Sequence, residues 1–174
     1  MYLFKAILIS CSMLLTGASF ADLDKAIKLT EQGKIKEGRL ELEKISNHAK
    51  NGNPKAQYEF GVMWIMNYWT SKDDIKAIEW WLRSAEQNYP DAQFILGFAY
   101  TVGRGVDIDF NKAREWTQKA INNKDSGREI ISAAMNALDY IDEQELRSEM
   151  IKRELEPKEI PKTIKYIRFE QSIG

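Results

Sequence analysis

Residue types that do covalent or metal chemistry are scarce in this chain. It has one histidine, His48, and one cysteine, Cys11, in 174 residues. Cys11 falls in the leader described below, so the mature chain keeps one histidine and no cysteine, which removes thiol nucleophiles and most transition-metal sites. His48 stands near the end of a helical stretch and reads as a polar surface or capping residue. Acids are plentiful, and two carboxylates on facing sides of a sugar could hydrolyse a glycan. Glu37, Glu41 and Glu43 form one such cluster, and Asp142, Glu143 and Glu145 another. Both are interleaved with lysines and arginines, the pattern of a solvated helix face carrying ion pairs. Gly103-Arg104-Gly105 lacks the glycine spacing and the following Lys-Ser/Thr of a phosphate loop. It reads as a turn, because glycine adopts left-handed backbone cheaply. No Ser-x-x-Lys nucleophile motif occurs. These residues imply no cofactor, no metal and no enzyme.

Composition bounds the alternatives. Apolar residues make up 44 % of the chain, enough for a packed core. Lys+Arg number 25 against 26 Asp+Glu, so no strong field points to nucleic acid. Lys5 is the only charge before Asp22. Ala6 to Leu15 is an apolar run, and Ser19 and Ala21 are small residues at the spacing of a signal-peptidase site. Residues 1–21 therefore read as a secretory signal peptide cut after Ala21, since the run is too short to span a bilayer. Leu8-Ile9-Ser10-Cys11 loosely resembles a lipobox, but Cys11 reads as an ordinary leader residue. The expected mature chain has no cysteine, no disulfide and no transmembrane segment. It is placed in the periplasm, with secretion as the alternative.

The elements that must position any site repeat. Ala56-Gln57-Tyr58-Glu59-Phe60-Gly61 falls over Ala92-Gln93-Phe94-Ile95-Leu96-Gly97 at an offset of 36 residues. The same offset superposes Pro54 on Pro90, Trp64 on Tyr100, Asp73 on Asp109, Ala77 on Ala113 and Trp80 on Trp116. Each unit reads as two helices. A first-turn proline opens helix A, and Asp73 or Asp109 suits the N-terminus of helix B. Ala77, Trp80 and Ser84, with Ala113, Trp116 and Ala120, are the expected buried stripe of helix B. Small residues at Ala56, Gly61 and Ala77 let the helices approach, and stacking buries faces that no single unit can bury alone.

This pattern resembles the Sel1-like repeat family, relatives of the tetratricopeptide repeats. The family runs Ala-x-x-x-Leu-Gly-x-x-Tyr, a Gly-x-Gly-Val turn, then Asp-x-x-x-Ala-x-x-Trp. Ala92, Leu96, Gly97 and Tyr100, then Gly103 to Val106, then Asp109, Ala113 and Trp116 match it. The first unit departs at its turn, where Asn67-Tyr68-Trp69-Thr70 stands. The resemblance implies an all-α, short right-handed α/α solenoid. Residues 22–52 are a degenerate repeat or capping pair, 53–122 the two repeats, and 123–156 C-terminal capping helices. Residues 157–174 are an extended tail, after Pro157 and Pro161 end helicity.

The resemblance also implies function. Such proteins act as adaptors or scaffolds, and small exported members serve as immunity proteins that block a delivered toxin. Partner contact is expected on the concave face lined by the A helices. Their second apolar face carries Tyr58, Val62 and Ile65, matched by Phe94 and Phe98; packing between adjacent units is the other reading of those residues. Trp69 and Trp81 lie outside the repeat's core positions and are candidate contact residues, as tryptophan is enriched in binding hot spots. The alternative is a cell-envelope enzyme or peptidoglycan binder. Cysteine-rich exported relatives are linked to β-lactam hydrolysis, but this chain lacks their paired cysteines.

Overall fold

A computed structural model describes residues 21–66 and 73–152. The described residues form seven helices: α1 Ala21–Glu31, α2 Ile35–Lys50, α3 Pro54–Met66, α4 Asp74–Glu86, α5 Pro90–Val102, α6 Phe110–Asn122 and α7 Arg128–Lys152. Each packs on its neighbours in sequence, and α7 also reaches back to α5. The result is the expected all-α solenoid: hairpins α1–α2, α3–α4 and α5–α6, closed by α7.

The helix starts follow from local chemistry. Pro90 occupies the first turn of α5, where the missing N–H has no intrahelical partner to lose. Asp73 and Asp109 are extended N-caps. Each carboxylate accepts the amide three residues on, from Lys76 and Lys112, at 3.0 Å. The α5–α6 turn uses Gly103 in the left-handed region (φ 70°) to cap α5, its N–H donating to the Ala99 carbonyl.

One close approach repeats in both units. A side chain on Gly61 would overlap the Trp81 indole across the α3–α4 hairpin, and one on Gly97 would overlap the Thr117 hydroxyl across α5–α6. Trp81 Nε1 donates to the Tyr58 carbonyl at 3.1 Å, and Thr117 Oγ1 to the Ala113 carbonyl at 2.7 Å. The buried stripe of α4 is thus Ala77, Ile78, Trp81, Ser84 and Ala85. Trp80, expected in that stripe, is only partly buried. It packs edge-on against Phe60 and lies under the Arg83 guanidinium.

Buried glutamines tie unit to unit. Gln57 Nε2 donates to the Ala49 carbonyl and Gln93 Nε2 to the Ala85 carbonyl, both at 3.3 Å. Gln87 donates to Gln57 Oε1 at 2.7 Å and Asn123 to Gln93 Oε1 at 2.9 Å. A pair of bonds in the first unit recurs 36 residues later, which keeps buried polar groups satisfied at each junction.

The C-terminal region differs from expectation. A single helix, α7, spans 25 residues where two capping helices were read. Ile130, Ala134, Ile141 and Met150 are its buried positions. Ile130 and Ala134 meet Phe94 and Ala120, while Ile141 meets Tyr100 and Ala113. The charged stretch from Asp142 continues the same helix, and Arg114 on α6 binds both Asp142 and Glu145 there. Residues 1–20 and the tail from 153 on lie outside the described residues.

Candidate interaction surface

Most of the described residues expected to meet a partner are buried within the chain. Tyr58, Val62 and Ile65 belong to the main core. Tyr58 is 2 % exposed, its ring 5.5 Å from that of Tyr89. Trp81 is wholly buried against Gly61. Phe94 packs with Ala120, Ile130 and Ala134 beneath α7, and Phe98 is half-buried on the main core. Trp69 lies outside the described residues. The physical reason is close packing. Small residues at the hairpin interfaces draw the helices together, and the second apolar face of each A helix is spent on the adjacent unit or on α7. Of the two readings of that face, the burial of Tyr58, Val62, Ile65 and Phe94 fits packing between units.

Four aromatic rings at matching positions of the two units carry cations. Lys76 Nζ lies 4.6 Å from the Trp64 ring centre and Lys112 Nζ 5.2 Å from Tyr100. Arg83 lies 4.6 Å from Trp80 and Lys119 Nζ 4.1 Å from Trp116. All four pairs fall in register with the repeat. Each ammonium or guanidinium shields a ring edge from water while its charge stays solvated.

Two open hollows lie beside α6. A hollow of about 600 Å³ lies between the Asn88 turn and the C-terminal half of α6, lined by Asn88, Gln93, Glu115, Gln118, Lys119, Asn122, Asn123, Lys124 and Asp125. A shallower one, about 420 Å³, continues along α6 toward α7, lined by Asn111, Arg114, Glu115, Gln118, Leu138 and Asp142. Glu115 and Gln118 line both. Together they make a furrow along the exposed face of α6. Asn88 holds φ 63°, a left-handed turn that asparagine tolerates better than most residues. Its carbonyl accepts from Asn123 Nδ2 at 2.7 Å, which fixes the furrow's rim.

Chemically the furrow offers amide donors and acceptors and two ion pairs, Lys119–Glu115 at 2.7 Å and Arg114–Asp142 at 2.8 Å. The amides of Gln118 and Asn122 bond each other at 3.2 Å and keep unused capacity facing solvent. Such a lining suits a polar polypeptide segment better than an apolar small molecule, whose pockets are mostly hydrophobic. Sequence reading missed this surface, because its residues carry no motif.

The acids behave as their sequence context indicates. Glu41 pairs with Lys25 and Lys44, whose hydrogen bonds hold its carboxyl below the ordinary range. Glu143 pairs with Arg147 at 3.0 Å. Among the described residues no group of three or more His, Cys, Asp or Glu is placed to hold a metal ion. None of the described helices is long and apolar enough to cross a membrane.

The repeat geometry agrees with family comparison. Residues 54–89 and 90–125 each match the Sel1 repeat family. The match covers residues 54–125, less than half of the chain. The first matched unit, called the first Sel1 unit below, is α3–α4, and the second is α5–α6 with its following turn. Over 54 residues the chain is 43 % identical to the chitin synthase regulator SKT5 of Saccharomyces cerevisiae, a stretch covering 31 % of this chain and 8 % of that protein. A Sel1 repeat protein from Oxalobacter formigenes superposes with a TM-score of 0.51 at 26 % identity, covering 67 % of this chain and 44 % of that one. The protective antigen c5321 of uropathogenic Escherichia coli, which displays the Sel1-like repeat fold, also gives 0.51, at 22 % identity over 78 % of this chain and 33 % of that one. The Sel1 array here thus spans less than half the length of each of these relatives.

Proposed function

We propose that this protein is a non-enzymatic, exported Sel1 module that binds one protein partner in the cell envelope, as an adaptor or a toxin-neutralising protein. The observation that carries this reading is the furrow along α6. It is an open surface lined by amide and charged side chains on a repeat scaffold, and Sel1 modules are generally binding units. A relative that shares one stretch of sequence is named for regulating an enzyme, a role consistent with action through another protein. The apolar leader of residues 1–21 supports export to the periplasm. Fold alone assigns a mode of binding and no partner identity.

The test is affinity capture of the tagged protein from its native cells, with the furrow variants Gln118→Arg and Glu115→Arg in parallel. One stoichiometric protein partner is expected, lost from both variants while their circular dichroism stays helical. Retention by both variants removes the furrow as the binding surface. A preparation with no protein partner removes the binding role itself.

A further inference from the structure

Glu59 breaks the repeat. It stands on α3 in the first Sel1 unit where the second unit has Ile95, a core residue. Its side chain is 1 % exposed, and Oε1 accepts no hydrogen bond among the described residues. Lys55, one turn earlier on the same helix, places Nζ 3.7 Å from Glu59 Oε1 and 3.1 Å from Asp22 Oδ2 on α1. One ammonium thus bridges a buried carboxylate on the Sel1 unit and an exposed one on the first turn of α1.

The charged groups acting on Glu59 are Lys55 on its own helix and Asp22 and Asp24 on α1. With Glu59 ionised, two carboxylates share one ammonium, a third, Asp24, repels Glu59, and the innermost is kept from water. With Glu59 protonated, Lys55 and Asp22 balance each other and the buried group is neutral. Burial raises the Glu59 carboxyl to about 7; Lys55 opposes the rise, and Asp22 and Asp24 add to it.

We propose that Glu59, Lys55 and Asp22 form a pH-operated latch that holds the first turns of α1 on the first Sel1 unit and releases them as Glu59 ionises. Hydrating an ionised Glu59 requires something to move. α3 packs on both α2 and α4, whereas the chief contacts of α1 are with α2, and its hold on α3 includes the Lys55–Asp22 ion pair. Lifting the start of α1 exposes Leu23 but breaks that pair and leaves the α3–α4 hairpin packed. The latch is specific to the first unit, since Ile95 gives the second nothing to titrate.

Amide hydrogen exchange of the full chain at pH 6 and pH 8, expressed as protection factors, tests this. A carboxyl that titrates near 7 when closed and at its ordinary value when open makes opening about tenfold more populated at the higher pH. Protection in the first half of α1 is expected to fall by about that factor, and the fall is expected to vanish in Glu59→Ile and in Glu59→Gln. An unchanged wild-type α1 overturns the latch, as does a fall that persists in either variant. Exchange of α1 only together with the slowest core amides also overturns it, because the opening is then global.

Discussion

Gly61 on α3 lies against the indole of Trp81 on α4 so closely that a single methyl group at position 61 would overlap the ring. The contact seals the first Sel1 hairpin, since the same indole donates to the Tyr58 carbonyl one turn before Gly61. Gly61→Ala is expected to destabilise the chain by about 1–3 kcal/mol, as over-filled cores do. Trp81→Ala leaves a void and is expected to cost about 3–5 kcal/mol. Urea unfolding checks both. A neutral Gly61→Ala would mean that the hairpin opens freely.

The two N-caps should behave alike. The Lys76 amide holds the Asp73 carboxyl below its ordinary value, and Asp109 repeats the geometry on α6. Asp73→Ala and Asp109→Ala are each expected to lower the thermal midpoint. A carboxyl held low when folded contributes stability above its unfolded value and loses it as pH falls through the folded value. The Asp73 contribution should therefore fade in acid, and thermal melts of Asp73→Ala and wild type should converge there.

Arg114 fastens α7 to the second Sel1 unit through Asp142 and Glu145. Asp142 is well exposed, so screening limits the pair. Arg114→Gln is expected to destabilise by less than about 1 kcal/mol at low salt, with the difference fading near 1 M salt. Undiminished loss at high salt would assign the effect to packing of the arginine stem.

Glu59 makes the opposite pH prediction to Asp73. Its carboxyl is raised when folded to about 7. The associated stability is fully present below the unfolded value and is lost as pH rises through about 7. The wild-type thermal midpoint should decline from pH 5 to pH 8, and Glu59→Ile should be the more stable chain at pH 8. Parallel pH profiles for the two proteins would show that another group titrates.

Much of the fold was legible in the residues. The 36-residue period, the prolines at 54 and 90 and the aspartates at 73 and 109 are local signals. Each acts on the few residues that follow it, so the starts of four helices could be read without knowing their neighbours. Packing faces are a different matter. Trp80 and Trp81 are adjacent, about 100° apart around a helix, and periodicity places either on the edge of the apolar stripe. The crossing of α3 and α4, set where Gly61 yields space, selects Trp81.

The same distinction governs the interaction surface. The sequence by its pattern showed that the A helices are apolar on two faces, which Tyr58, Val62, Ile65, Phe94 and Phe98 make plain. Whether such a face meets solvent or another helix depends on residues far away in the chain. Phe94 is covered by Ile130 and Ala134 on α7, and no local rule connects them. The furrow is likewise a product of distant parts, the Asn88 turn and the face of α6. Local preferences act over a turn or two of helix, so they determined the elements; burial depends on contacts between distant segments, and only the tertiary structure decided which side chains remain free to bind.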